Sequence, residues 1–231
     1  SAIDSVFEQT DQYRILRDSK GQDVIPKAYV QFNYNITRNI ITNAGISSIY
    51  QRSTNNYSIE PRISLTWEFM PKNTFSVAYG LHSYVAPIDF SNQKVLLSNG
   101  TYISPNEDLD FTRSHHFVLG YDKILPNKIR FKTELYYQYV YDAIVEKDSS
   151  SYSLLNRGAY SIPDVSYLTN DGEGFNYGVE FTAEKFMDRG LYFLSTFSLY
   201  EAKYKGSDGI LRDNAFNSNF VLNILGGKEF T

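Results

Sequence analysis

Long segments in which apolar and polar residues alternate strictly constrain this chain more than any other feature of its sequence. The clearest is 129–146, where the odd positions are apolar or aromatic apart from one threonine and five of the nine even positions are charged. Because neighbouring residues of a strand point to opposite sides of a sheet, this pattern predicts a strand with one apolar and one charged face. A helix would spread the same residues around its circumference.

The alternation recurs from about residue 24 onwards and predicts about nine strands, several of them 12 or more residues long. The other eight segments are 28–36, 40–50, 58–69, 75–82, 115–121, 175–184, 191–204 and 216–224. Strands of soluble proteins usually have about 5–6 residues, whereas a tilted strand needs roughly 9–11 to cross a bilayer. Strand length therefore favours a transmembrane β-barrel. Residues 1–23 alternate poorly, and we expect an outer loop at 18–23 with a poorly formed strand ahead of it.

Short and long connections alternate between these strands. The short ones are 37–38, 70–73, 125–127 and 187–190, and the longer polar ones are 52–57, 86–113, 147–172 and 205–214. In an antiparallel up-and-down arrangement every second connection lies at the same end, and outer-membrane barrels have short periplasmic turns and long extracellular loops. The sequence thus predicts an all-β, antiparallel up-and-down transmembrane barrel segment. We expect a further turn at 226–231.

Composition excludes several other classes of protein. No window of 18 consecutive apolar residues exists, which excludes a transmembrane helix. The absence of cysteine excludes disulfide frameworks, cysteine-bound zinc and thiol nucleophiles. A formal net charge of −4 gives no reason to expect a nucleic-acid partner. The modest overall polarity suits a barrel, because only every second residue of its strands faces lipid.

A series of short motifs in a fixed order resembles the late barrel strands of TonB-dependent receptors of the Bacteroidetes type. The motifs are YSIEPR (57–62), WEFMP (67–71), YGLHS (79–83), DLDFTRSHHF (108–117), ELYYQY (134–139), GFNYGVE (174–180), SLYEAKY (198–204) and NAFN (214–217). Each is weakly specific alone, but their order and spacing make the resemblance over residues 28–230 fairly specific.

The resemblance implies part of a barrel of about 22 strands, closed in the whole receptor by an N-terminal plug. It also implies a location in the bacterial outer membrane and energy-coupled import of a scarce nutrient, such as an iron chelate, an oligosaccharide or a peptide. The implied partners are outer-membrane lipid, the plug, TonB and the nutrient, which loops 86–113 and 147–172 would hold. We expect residues 1–231 to be a partial barrel without the plug domain.

The candidate site residues are polar side chains of the strands and acidic residues of one loop. Those predicted to face the lumen are Glu60, Arg62, Glu68, Arg130, Lys132, Glu134, Glu180 and Glu184. Glu107, Asp108 and Asp110 form an acidic run predicted to lie on the rim of an outer loop rather than to bind Ca²⁺. His115 and His116 should point to opposite faces and so not share a metal ion, and His82 is expected to face the lumen.

Two further features are expected to have structural roles. The glycine-rich stretch 205–209 is expected to be a hairpin loop, because it lacks the ending of a phosphate-binding loop. Trp67, Tyr57, Tyr121 and Tyr141 are expected to belong to aromatic girdles at the membrane surfaces, with ordinary cross-strand pairs as the alternative. No catalytic, cofactor-binding or metal-binding set is predicted.

Two other classes of protein remain open at this point. A soluble β-sandwich or lectin-like binding module would cover the apolar face with a second layer. An outer-membrane barrel enzyme would need a Ser/His or Asp/His set at its rim, which the sequence does not display. The surroundings of the apolar side chains of 129–145 distinguish the sandwich from the barrel.

Overall fold

The computed structural model of the protein describes residues 2–7, 13–19, 22–157 and 166–230, and almost all regular structure within them is β-strand. The strands are β1 (Ala2–Phe7), β2 (Tyr13–Ser19), β3 (Lys27–Asn35), β4 (Ile40–Gln51), β5 (Asn56–Met70), β6 (Asn73–Tyr84), β7 (Val95–Leu96), β8 (Tyr102–Ile103), β9 (Thr112–Leu125), β10 (Ile129–Glu146), β11 (Leu168–Asp188), β12 (Leu191–Lys205), β13 (Leu211–Asp213) and β14 (Phe220–Lys228). One short helix, α1 (Ile88–Ser91), and two 3-10 turns, Pro126–Lys128 and Leu154–Asn156, complete the secondary structure.

One antiparallel sheet contains all nine predicted strands in chain order. Its order is β3-β4-β5-β6-β9-β10-β11-β12-β14, and β13 extends the pairing of β12 beyond the end of β14. The all-β, up-and-down arrangement of about nine strands is therefore confirmed. Within the described residues β3 and β14 are the two edges of an open sheet.

Several expected bounds were wrong: the strand expected at 216–224 begins at Phe220, β11 begins at Leu168 inside the loop expected at 147–172, and three further corrections follow. Within residues 1–23, β1 and β2 form an antiparallel hairpin, and Asp18 and Ser19 of the expected loop belong to β2, while residues 20 and 21 lie outside the described part. A register shift between Asp4 and Ser5 interrupts the alternation on β1, which explains why only one poorly formed strand was expected there. The polar connection at 52–57 is also shorter than expected, because Asn56 and Tyr57 pair with Gln51 and Tyr50.

The third correction concerns the turn expected at 226–231. Gly226 and Gly227 continue β14 and pair with Phe193 and Tyr192 of β12. Glycine usually indicates a turn, but here its missing side chain makes room for an aromatic ring. A Cβ on Gly227 would lie 2.6 Å from the Tyr192 ring.

The two ends of the sheet differ as the sequence predicted. At one end, called the turn end, the strands are joined by the short connections 36–39, 71–72, 126–128 and 189–190. At the other, called the loop end, they are joined by 52–55, 85–111, 147–167 and 206–219. Lys72, Lys128, Arg189 and Gly190 have positive φ angles, which shows how tightly the chain reverses at the turn end.

Register places most apolar side chains of the alternating segments on one face, called the apolar face. One row across six strands consists of Leu65, Val77, Leu119, Leu135, Val179 and Leu199. Phe131, Leu135 and Tyr137 of β10 are 46, 50 and 43% exposed, so no second layer of the described chain covers them. A bare apolar belt is expected for a barrel wall and not for a sandwich, and the soluble alternative is therefore not supported.

Aromatic side chains form two bands on the apolar face. Near the turn end, Phe69 and Phe75 stack at 4.9 Å between Trp67 and Tyr121. Near the loop end, Tyr141 stacks at 5.1 Å on His115. The separation of the two bands can be measured along β10. Thr133 is the cross-strand partner of Tyr121 and precedes Tyr141 by eight residues. Eight residues span about 26 Å along a strand, or roughly 20 Å along the membrane normal for a tilted strand. This separation is close to what two interfacial girdles require.

Among the described residues, no helix combines the length and the apolar character needed to span a membrane. The largest group of buried apolar residues lies at the loop end rather than within the sheet. Connections that would otherwise be exposed therefore pack together over the end of the sheet.

Candidate functional site

The face opposite the apolar belt, called the polar face, carries all eight side chains that were predicted to face a lumen. They occupy positions that alternate with the apolar belt on β5, β10 and β11. Arg130 donates to Asp122 at 2.6 Å and lies 3.8 Å from Glu184, while Lys132 pairs with Glu134 at 2.6 Å. The charges on this part of the face are thus paired with one another and form a network along the wall.

Glu60 is the most deeply buried of the eight candidates. Its carboxylate accepts hydrogen bonds from the hydroxyl of Ser47 at 2.7 Å, the backbone N–H of Ser83 at 2.8 Å and the guanidinium of Arg62 at 3.2 Å. The two remaining candidates also accept hydrogen bonds: Glu180 from the Ser198 hydroxyl at 3.0 Å, and Glu68 from the backbone N–H of Lys72 at 2.9 Å.

The histidines separate onto the two faces of the sheet. His115 lies on the apolar face and shares a 3.0 Å hydrogen bond with the Tyr79 hydroxyl. His116 lies on the polar face, with its ring centroid 4.5 Å from that of His82 and its Nε2 2.9 Å from the amide nitrogen of Gln138. Within the described ranges no three acidic or histidine side chains converge as a metal site would require. The convergence of His82 and His116 was not predicted, because it depends on the pairing of β6 with β9.

The long loops are held over the loop end by a buried apolar cluster. Phe90 of α1, Leu109 of the same loop, Ile144 of β10 and Leu168 of β11 form its centre. Residues that are far apart in the sequence meet here, so the cluster joins the 85–111 loop to both strands that flank the 147–167 loop. Residues 158–165 of that second loop lie outside the described part of the chain.

Asn106 links the two loops through hydrogen bonds to their backbones. Its side chain is 1% exposed. Its Oδ1 accepts from the backbone N–H of Leu168 at 3.0 Å, and its Nδ2 lies 3.2 Å from the carbonyl oxygen of Phe90 and 3.1 Å from that of Ser166. A buried amide with this many backbone partners fixes the relative position of the loops.

The predicted acidic rim divides into an exposed part and a structural part. Glu107 and Asp108 are exposed at the tip of the loop. Asp110 instead accepts from the guanidinium of Arg113 at 2.8 Å, and Arg113 also donates to Asp142 at 2.7 Å. Asp110 therefore helps to attach the loop to β9 and β10, a difference from Asp108 that no local pattern in the sequence indicates.

A pocket of about 450 Å³ lies where the loops meet the polar face. Its walls are formed by His82, Ser83, Tyr84, Thr112, Ser114, His116, Gln138 and Val140 of the strands, and by Pro87, Phe90, Leu154, Leu155 and Arg157 of the loops. No carboxylate is found among these lining residues. The side chain of Gln138 is also held by the amide of Asn176 at 2.8 Å, so the polar part of the wall is preorganised.

Ser114 lines this pocket but does not offer its hydroxyl to it. The residue is 8% exposed, and its hydroxyl oxygen is shielded from solvent and has no hydrogen-bond partner among the described residues. A buried hydroxyl without a partner is costly in a folded protein.

Two carboxylates outside the spanning part of the strands have lowered pKa values. Burial alone would raise the pKa of Asp23, but hydrogen bonds from the Ser53 hydroxyl, the Gln51 amide and the backbones of Ser53 and Val24 outweigh burial and lower it. The Arg212 guanidinium, which donates to Asp208 at 2.6 and 2.8 Å, lowers the pKa of that carboxyl. Asp208 belongs to the stretch 205–209, which forms a loop between β12 and β13, as expected.

The open apolar belt with aromatic bands at two levels, together with a polar face partly covered by loops, is typical of the wall of an outer-membrane type β-barrel. The sequence model of the family "TonB dependent receptor-like, beta-barrel" matches residues 2–226, and the chain belongs to this family. The family consists of transporters and receptors of the outer membrane of Gram-negative bacteria. The assignment to the Bacteroidetes type stays a prediction.

Solved structures of the same fold include an iron transporter, a siderophore receptor and a peptide transporter. The FrpB iron transporter from Neisseria meningitidis (F3-3 variant) is 14% identical with a TM-score of 0.60, covering 87% of this chain and 30% of its own. The siderophore receptor PirA from Pseudomonas aeruginosa is also 14% identical, with a TM-score of 0.59 over 88% of this chain and 41% of its own. The RagAB peptide transporter is 13% identical, with a TM-score of 0.63 over 86% of this chain and 24% of its own.

The chain thus spans between a quarter and two fifths of the length of these three proteins. No curated protein sequence gives a significant match.

Proposed function

We propose that this chain forms part of the barrel wall and the extracellular loops of a TonB-dependent receptor that imports a scarce nutrient across the bacterial outer membrane. The observation that carries the proposal is the pocket between the fixed loops and the polar face, whose wall combines apolar side chains of the loops with His116 and Gln138 of the strands. In this arrangement the loop end faces the outside of the cell and the turn end faces the periplasm.

The nutrient is an iron chelate, an oligosaccharide or a peptide. Two of the solved proteins of this fold are named for iron or siderophores and one for peptides. In this chain the pocket joins an apolar side, formed by Phe90, Leu154 and Leu155, to a polar side, formed by His116 and Gln138. Such a lining suits a ligand with both apolar surface and polar groups. Asp108 stands exposed on the rim, where an approaching nutrient first meets the loops.

The rest of the transport machinery belongs to the whole receptor. We assign residues 1–231 to a partial barrel, with the plug elsewhere in the receptor and coupled to TonB. Glu60, Arg62, Glu68, Arg130, Lys132, Glu134, Glu180 and Glu184 would line the lumen and face that plug, while outer-membrane lipid would surround the apolar belt. The chain would have no catalytic role, since its polar face bears a network of charge pairs rather than an activated nucleophile.

The test uses the full-length receptor and fills the pocket by the substitution Ser114→Leu. We expect binding of the nutrient, identified from a panel of ferric chelates, oligosaccharides and peptides, to weaken by about tenfold or more, equivalent to ~1.4 kcal/mol. Thr74→Leu is the matched control, because Thr74 lies on the same face near the turn end and outside the pocket. Isothermal titration calorimetry measures both. Equal affinities of the two variants, or binding of no member of the panel, would count against the proposal.

A further inference from the structure

Each short turn of the sheet carries an exposed basic side chain. These are Arg38 between β3 and β4, Lys72 between β5 and β6, Lys128 between β9 and β10, and Arg189 between β11 and β12. Turn geometry does not require this choice, since asparagine and glycine suit tight turns at least as well. A cation that recurs in four successive turns, three of them at positive φ, therefore calls for another explanation.

Most carboxylates at the turn end do not neutralise this row. Among the described residues, Glu68 lies on the polar face and accepts from a backbone N–H, and Asp122 is paired with Arg130. Asp188 lies 3.6 Å from Lys128 and 3.8 Å from Lys185, while Glu229 is an exposed acidic residue beside the last turn. The cations outnumber the carboxylates that could compensate them, and the turn end is basic.

Along the membrane normal, these cations lie where the headgroups of the lipids around the barrel are expected. The aromatic band near the turn end lies next to these cations on the apolar face, on the side towards the middle of the strands. It consists of Trp67, Phe69, Phe75 and Tyr121. Lys72 follows Phe69 by three residues, and Lys123, an exposed residue of the apolar face, follows Tyr121 by two, or about 7 Å along the strand. Aromatic rings favour the interface, and long basic side chains reach from there towards headgroups.

We propose that the row Arg38, Lys72, Lys128 and Arg189 binds anionic phospholipid headgroups of the periplasmic leaflet. The inference rests on the proposed function, which places the turn end at that leaflet. Lipid is favoured over an acidic protein because the row follows the edge of the apolar belt, where acyl chains would already contact the barrel. Anionic lipids attract basic residues near the surface, and this attraction falls off within a Debye length.

The test measures the lipid selectivity of the full-length receptor in phosphatidylcholine vesicles. Spin-labelled phosphatidylglycerol and phosphatidylcholine are compared by electron paramagnetic resonance, which resolves the lipid immobilised on the barrel. The test variant carries R38Q, K72Q, K128Q and R189Q together. The matched control carries K27Q, R52Q, K94Q and K147Q, four exposed cations at the loop end. Both variants lose the same charge.

We expect the wild type and the loop-end control to prefer phosphatidylglycerol by at least about threefold, and the turn-end variant to show a ratio near one. Added salt should reduce the preference of the wild type, because these groups are exposed. Equal selectivity of the two variants, in receptors that reconstitute and show the heat-modifiable migration of a barrel, would overturn this inference alone. A receptor that did not enter the vesicles would overturn the proposed membrane function as well.

Discussion

Replacing Asn106 by leucine should release the two long loops from each other while leaving the sheet intact. Leucine is similar in size to asparagine but has no hydrogen-bonding atoms. The backbone N–H of Leu168 would lose its partner, which now lies at 3.0 Å, whereas the carbonyl oxygen of Phe90 would lose a donor at 3.2 Å but still accept from the backbone N–H of Gln93 at 3.4 Å. Leu168 is 6% exposed, so water would not replace its lost bond without opening the cluster.

The expected magnitude follows from the cost of buried groups without partners. Such a group costs about 1–3 kcal/mol, so leaving the Leu168 N–H without a partner should lower the free energy of opening the loops by ~1–3 kcal/mol. A loss of ~2 kcal/mol corresponds to about 30-fold faster exchange of amides protected by that opening. The Lys147 amide, which donates to the Tyr167 carbonyl oxygen at 2.9 Å, and the Leu109 amide are suitable reporters.

The assay is hydrogen exchange with mass spectrometry on the full-length receptor, read for segments 104–112 and 143–149. Asn99→Leu is the control, because Asn99 is exposed in the same loop and its side chain bonds only to Thr101 among the described residues. If Asn106→Leu stayed within about threefold of the control in both segments, the loops would not be held by this side chain and the reasoning would fail.

Two further predictions concern ties between loops and strands. Arg113→Lys should speed amide hydrogen exchange in segment 108–112 by about fivefold, which corresponds to ~1 kcal/mol. The reason is that lysine cannot bridge Asp110 and Asp142 as the guanidinium does. Unchanged exchange would show that the bridge contributes nothing. The Ser53 amide, which donates to Asp23 at 3.0 Å, should lose protection, after correction for intrinsic exchange, only at acid pH. The folded-state pKa of Asp23 is lowered. The stability that its carboxylate contributes is therefore fully present above the unfolded-state pKa near ~3.9 and is lost as pH falls through the folded-state pKa. Asp23→Asn should make the corrected protection independent of pH, and a similar pH profile in that variant would refute the assignment.

The sheet was predictable because its signal is local. Alternation along 129–146 fixes which side chains share a face, and alternating connection lengths fix which ends share a side of the membrane. Both follow from strand geometry alone. The signal failed where a local rule was broken: on β1 by the register shift between Asp4 and Ser5, and on β14 by Gly227, whose missing side chain accommodates Tyr192.

The candidate site was predictable only in part, for the opposite reason. The polar positions of the strands were found, because their periodicity is local. The pocket depends instead on Asn106 reaching Leu168 and on His82 meeting His116 across β6 and β9. Such contacts depend on cross-strand register and on the paths of long loops. Neither the spacing of histidines nor a single asparagine in a polar loop reveals them.

The central claim is that the two faces of the sheet meet lipid and lumen respectively, and β10 tests it most directly. Single cysteines at Phe131, Leu135 and Tyr137, and at Lys132 and Glu134, would be labelled with bimane in an otherwise cysteine-free full-length receptor. Brominated lipid should quench the fluorophore strongly at the three odd positions and weakly at the two even ones. Quenching that did not alternate, or that was strongest at Lys132 and Glu134, would contradict a barrel wall with its apolar belt in the membrane.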